Sequence, residues 1–170
     1  MSFLAERDMA QAALAYEGGD HGPAFPPVAA RIRAARQALG LSLEEFAQAH
    51  GVEATRQFDL ELNDSAVFEL VSLVALPGFA EALGLPVFTL LFGEQPLRAI
   101  RPVTYLDVVD AIEQRAGEQG VAALSDAVGW DLQPVLGDPS SLGALSLKGL
   151  FGLCRAIELD WLGVLVATSA

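Results

Sequence analysis

The chain has 170 residues, of which 52% are apolar, which is enough for a packed core in one domain or two small ones and excludes disorder over most of its length. Its formal charge of −12 and pI near 4.4 disfavour phosphate backbones and anionic membranes as partners, because both are bound through Lys and Arg. Cys154 is the single cysteine, so an intrachain disulfide and a disulfide-stapled extracellular fold are excluded, and a reducing cytoplasm is the expected compartment.

The opening "MSFLAERDMAQ" lacks the basic n-region and unbroken apolar run of a signal peptide. Residues 2–17 are predicted to form a helix with Ser2 as N-cap, followed by the linker "GGDHGPAFPP" (18–27), whose three glycines and three prolines favour turns. From Val28 the pattern is helical. "VAARIRAARQALG" ends at Gly40, and Ser42 caps "LEEFAQAH" with Glu45 completing a capping box. Gly51 closes that helix. A third helix runs from about Glu53 to Leu62 and is broken by "NDS". Helices then follow over "FELVSLVALPGFAEALG" and "PVFTLLFG", the last opened by Pro86 in its first turn. The apolar segment "LVSLVALPGFAEALGLPVFTLLFG" is interrupted by Pro77, Glu81 and Pro86, and is read as core helices instead of a membrane span.

The second half resembles the first. With a shift of 74, Ser72, Leu73, Leu76, Phe79, Ala80, Ala82, Leu83, Leu85, Leu90 and Leu91 fall on Ser146, Leu147, Leu150, Leu153, Cys154, Ala156, Ile157, Leu159, Val164 and Leu165. Upstream the shift is 78, which places Phe46, Ala49, Gly51 and Val52 on Leu124, Ala127, Gly129 and Trp130. The four-residue difference is one helical turn, and an internal duplication is expected.

These residues resemble the Cro/C1-type (XRE, λ-repressor-like) helix-turn-helix family. The likeness covers about Val28 to Phe92 through "IRAARQALGLSLEEFAQAHGV" and "EALGLPVFTLL", and about Tyr105 to Val166 through "VAALSDAVGW" and "SLKGLFGLCRAIELDWLGVL". The resemblance implies an all-α fold: an N-terminal helix and linker (1–27), a first helix-turn-helix-like domain (28–98) and a second, degenerate one (99–170), the two forming a pseudo-dimer. It also implies promoter binding through the third helix of each bundle. The residues there depart from the family's pattern. In the first copy, "VEATRQFDLELND" has Arg56 alone against Glu53, Asp59, Glu61 and Asp64. In the second, "WDLQPVLGDPSS" has Asp131, Asp138 and a mid-helix Pro134, with Gln133 as its one base-reading donor.

Local charge favours the first copy for DNA. Residues 28–60 balance Arg31, Arg33, Arg36 and Arg56 against four acids, whereas 102–170 set three bases against nine. Arg56, with Arg31, Arg33 and Arg36 from the first helix, is the candidate DNA-contacting set; the alternative is a solvated face paired with nearby carboxylates. Trp130, Leu132, Val135 and Leu136 are the candidate contacts for a protein partner.

Catalysis has little support. His21 lies in the linker and His50 beside a turn glycine, and neither has a metal-ligand spacing around it. Cys154 occupies a core-facing position, and "GEQG" (117–120) lacks the pattern of a phosphate loop. No catalytic residue, cofactor or metal is expected. The leading expectation is an acidic, non-enzymatic, cytoplasmic protein acting in transcriptional regulation through a protein partner (a regulator, a polymerase or a toxin), with a homodimer also open. The alternatives are a DNA-binding regulator that uses the first domain, and a DNA mimic that occupies a nucleic-acid-binding protein.

Overall fold

The computed structural model describes residues 27–93, 100–117 and 120–169; the helix expected over 2–17 and nearly all of its linker lie outside them. Among the described residues the chain is all-α, with no strand. In chain order the helices are α1 (Val28–Ala38), α2 (Leu43–Ala49), α3 (Ala54–Leu62), α4 (Ala66–Leu70), α5 (Leu76–Ala82), α6 (Val87–Phe92), α7 (Tyr105–Ala116), α8 (Gly120–Val128), α9 (Gln133–Gly137), α10 (Leu147–Ala156) and α11 (Trp161–Thr168), with a 3₁₀ segment over Pro139–Ala144. Among the described residues the chain divides into two compact units, within Met1–Val67 with Gly78–Ala99 and within Phe68–Pro77 with Ile100–Ala170.

In the first unit α3 packs on α1 and α2, and α6 packs on α1. The core holds Ile32, Phe46, Leu60, Leu90 and Leu91, each almost fully buried. The capping box is present: the Ser42 hydroxyl accepts from the Glu45 N–H at 3.1 Å and the Glu45 carboxylate accepts from the Ser42 N–H at 2.7 Å. The N-terminus of α1 has no side-chain cap of its own, since it follows Pro27. Asp64 supplies one from the chain beyond α3, accepting from the Ala29 N–H at 2.8 Å.

The helix expected over 68–84 is broken. α4 ends at Leu70, Ser72 pairs with Ser146 in an isolated antiparallel bridge, and α5 starts at Leu76. The Leu73 N–H donates to the Leu145 carbonyl at 2.7 Å and the Val74 N–H to the Gly143 carbonyl at 2.9 Å. These bonds tie Phe68–Pro77 to the second unit, whereas its position in the chain, within 28–98, puts it in the expected first domain. Pro77 sits in the first turn of α5, where its missing N–H costs least.

In the second unit α7 packs on α8 and on the 3₁₀ segment, and α10 packs on α8 and α11. Thr104 and Asp107 form a capping box that opens α7. The third helix expected over "WDLQPVLGDPSS" is shorter than anticipated. α9 starts at Gln133, so Pro134 lies in its first turn and not mid-helix, and the chain leaves it at Asp138. The Asp138 carboxylate accepts from the Ser140 N–H at 3.0 Å and from its hydroxyl at 2.6 Å, and Pro139 follows it, which together turn the chain into the 3₁₀ segment. Trp161 opens α11 buried, with its ring edge-on to Phe151 at 5.8 Å. Cys154 is buried, and burial, seconded by the Asp160 carboxylate, pushes its thiol up to about 12.

Taken separately, the units place helix ends at corresponding positions. A shift of 78 carries α1 onto residues 106–116 of α7, and a shift of 74 carries the end of α5 and the start of α6 onto the end of α10 and the start of α11. Left-handed backbone follows the same shifts: Gly51 (φ 63°) falls on Gly129 (φ 83°), and Gly84 (φ 67°) on Glu158 (φ 59°). Glu158 is thus a β-carbon residue in a helix-terminating position that usually takes glycine. Gly163, by contrast, is held by space, since a Cβ there would meet the Arg101 carbonyl oxygen and a Val103 methyl at 2.6 Å each.

Substitutions at these two positions should have opposite signs. Glu158→Gly should raise stability by up to about 1 kcal/mol by relieving the left-handed strain. Gly163→Ala should lower it by about 1–3 kcal/mol through overpacking. Urea unfolding of the two variants beside the wild type measures both.

Candidate functional site

The third helix of the first unit is the surface on which the DNA and protein readings compete. Its inward face carries Gln57, Leu60 and Glu61, spaced i, i+3, i+4 and all buried. The spacing sets Thr55, Phe58, Asp59 and Leu62 outward, with Arg56 at the flank. All five are exposed, and Phe58 and Leu62 leave 53% and 63% of their surface in solvent.

The inward face of α3 takes part in a buried ion pair. The Arg36 guanidinium donates from Nε to Glu61 Oε1 at 2.6 Å and from a terminal nitrogen to Oε2 at 2.7 Å, while its other terminal nitrogen reaches the Leu41 carbonyl at 2.6 Å. Gln57 donates from Nε2 to Glu61 Oε1 at 2.8 Å. Burial by itself would raise the Glu61 carboxyl, but the hydrogen bonds from Arg36 and Gln57 outweigh it and hold the group below the ordinary glutamate value. The same hydrogen bonding holds Arg36 above its ordinary value.

The other two arginines of α1 are also engaged inside the unit. Arg31 donates from Nε to the Leu90 carbonyl at 2.8 Å and from a terminal nitrogen to the Leu91 carbonyl at 2.6 Å, capping the C-terminal end of α6 with positive charge. Burial lowers its pKa, partly opposed by Asp64. Arg33 donates to the Glu61 backbone carbonyl at 2.6 Å. Of the four arginines expected to meet DNA, Arg31, Arg33 and Arg36 donate to carbonyls and a carboxylate of their own unit, with Arg36 buried, Arg31 half-buried and Arg33 exposed, and Arg56 is exposed on α3. Arg36 in particular is buried and does not belong to a solvated face. The acids counted against DNA thin out as well, because Glu61 is buried in the ion pair and Asp64 caps α1.

The partner set is divided in the same way. Leu132 and Val135 are buried, so they belong to the core of the second unit and not to a contact surface. A leucine following the turn and a valine in the first turn of α9 face inward because these are the positions at which so short a helix meets its neighbours. Leu136 and Trp130 are half-buried, and Trp130 lines an open concavity at the end of α8. Phe58 and Leu62 are also exposed; their signal in the sequence is two apolar residues at i, i+4 outside the buried stripe of α3. His50 is exposed and its ring lies 4.5 Å from that of Phe46, while His21 lies outside the described residues. No group of three or more His, Cys, Asp or Glu residues suited to a metal ion occurs among the described residues, and no helix among them is long and apolar enough to cross a membrane.

Removing Arg36 leaves the Glu61 charge buried with Gln57 as its remaining side-chain donor. Arg36→Ala should therefore cost about 3 kcal/mol, read from urea unfolding at neutral pH. Glu61 titrates lower in the folded chain than unfolded, so its contribution is complete above the ordinary glutamate range, near pH ~4.3, and is lost as pH falls through the depressed native value. Thermal melts of the wild type and Glu61→Gln should differ most at neutral pH and converge on acidification.

Comparison of the chain with protein-family models, with curated proteins and with solved structures gave no match.

Proposed function

We propose that the chain is an acidic, non-enzymatic regulatory protein built from two divergent copies of a Cro/C1-type helix-turn-helix bundle, which acts in transcriptional regulation by engaging another protein. The matching helix ends and left-handed positions of the two units support a duplication. The single observation that carries the choice of partner is the commitment of Arg31, Arg33 and Arg36 to groups of their own unit. Duplex binding draws its affinity from cations placed along phosphates, and its specificity from donors at base edges. On α3, Arg56 flanks an outward face with two exposed apolar side chains, Phe58 and Leu62, and the carboxylate of Asp59. Such a face suits the apolar centre of a protein interface better than a major groove.

The test pairs two measurements on the purified chain. Electrophoretic shifts with DNA from around its own gene, at low and at physiological salt, should give no specific complex. Affinity capture from the source cell should retain a protein partner that is lost with Phe58→Ser/Leu62→Ser and kept with Arg56→Ala. A specific, salt-sensitive duplex complex abolished by Arg56→Ala would replace this reading with a DNA-binding regulator that uses the first domain. Competition with DNA for a basic partner would replace it with a DNA mimic.

A further inference from the structure

The concavity beside Trp130 has a chemistry of its own. Its volume is about 460 Å³, and it is lined by Ala122, Ser125, Asp126 and Gly129 together with Trp130, Asp131 and Gln133. The first four follow i, i+3, i+4, i+7 spacing and so form one stripe along α8 and its end. The last three come from the turn into α9. A volume of this order accommodates a small ligand or a long side chain.

Its rim is pinned from below. The Gly129 and Trp130 N–H groups both donate to the Ser125 carbonyl, at 2.9 and 3.2 Å. The Ser125 hydroxyl donates to the Val121 carbonyl at 2.9 Å and accepts from the N–H of the fully buried Leu132 at 3.0 Å. The indole is thus carried on a turn anchored on one side to α8 and on the other to the core. Trp130 is half-buried and lines the concavity.

Charge then selects the occupant. The ionisable groups of the lining are two carboxylates, Asp126 and Asp131, and no Lys or Arg is among them. Asp131 accepts from the Gln133 N–H at 2.9 Å, which holds the turn; Asp126 is exposed and, among the described residues, has no ion-pair partner. An indole that lines a concavity together with two carboxylates attracts a cation through both the ring quadrupole and Coulomb attraction, and repels an anion. A guanidinium suits the arrangement further, because its plane can stack on the ring while its edge donates to a carboxylate. Residues 102–170, with three bases against nine acids, extend the same field and steer a basic surface toward the site.

We propose that the concavity at Trp130 receives an arginine side chain from a basic segment of a partner protein. This rests on the reading of the chain as a protein-interaction module and supplies the chemistry of what it recognises.

The test uses the full-length ¹⁵N-labelled chain and follows its two indole N–H resonances, assigned with Trp130→Phe. Arginine blocked at both ends, as N-acetyl and amide, should shift the Trp130 signal saturably and leave the Trp161 signal in place. Blocked citrulline, of the same shape but neutral, should move neither. Asp126→Asn, which removes no structural hydrogen bond, should weaken the arginine shift about fivefold or more while the unchanged Trp161 resonance reports an intact fold. An unmoved Trp130 resonance, an equal response to citrulline, or an Asp126→Asn variant that binds as tightly would overturn the site. Failure of the site is separable from failure of the module. Partner capture lost with Phe58→Ser/Leu62→Ser while arginine leaves Trp130 unmoved removes the site and keeps the module; a saturable arginine shift with no partner captured does the reverse.

Discussion

A charge pair sealed between α1 and α3 governs how the first unit presents itself. Arg36 and Glu61 are both buried, and each would be costly to bury without the other. Their two-pronged contact accepts little rotation of α3, because both carboxylate oxygens are engaged by one planar guanidinium. Gln57 is drawn into the same geometry. Glu61 can only accept, so Gln57 must turn its Nε2 toward it, and this leaves Gln57 Oε1 buried without a hydrogen-bond partner. Apolar side chains at 36, 57 and 61 could fill the same space with less desolvation, but a greasy contact would tolerate several rotations of the helix. The two-pronged pairing fits the observed rotation of α3, in which Phe58 and Leu62 lie in solvent.

Three arginines within six residues of α1 show how little a count of charges says about an electrostatic surface. Arg31 satisfies carbonyls that the end of α6 leaves open, Arg33 reaches the backbone of α3, and Arg36 neutralises a carboxylate in the core. Each answers a need of the fold: helix ends and buried acids require donors, and a long cationic side chain supplies them while its stem covers apolar surface. On the acidic side, Glu61 and Asp64 are withdrawn by the same logic. What remains on the outer face of α3 is a mixed surface with an apolar centre.

The second unit reaches a different surface from a similar plan. Its turn has left-handed Gly129 where the first unit has Gly51, but the next residue is Trp130 in place of Val52. Two prolines, Pro134 and Pro139, together with the Asp138 turn, confine the following helix to Gln133–Gly137. A helix of that length buries Leu132 and Val135 and exposes little beyond them, so the turn itself becomes the prominent feature. The indole, Asp126 and Asp131 are gathered there by the stripe spacing of α8 and by the hydrogen bonds of Ser125.

Much of the helical organisation is local and was therefore legible. The Ser42 and Glu45 box, the left-handed glycines at Gly40 and Gly51, and Pro86 opening α6 each depend on residues within one turn of one another, and pattern suffices for such features. Tertiary structure alone decided where α4 stops, because Ser72 is extended by a partner, Ser146, that lies 74 residues away. It decided that Asp64 caps a helix 35 residues upstream. It also decided which charges are surface and which are core: the sequences around Arg36 and Arg56 look alike, and only the position of Glu61 across the α1–α3 contact separates a buried structural cation from an exposed one. Local propensity is set by neighbours in the chain, whereas a side chain's electrostatic role is set by neighbours in space. For this protein the helices follow from the first, and the candidate surfaces follow from the second.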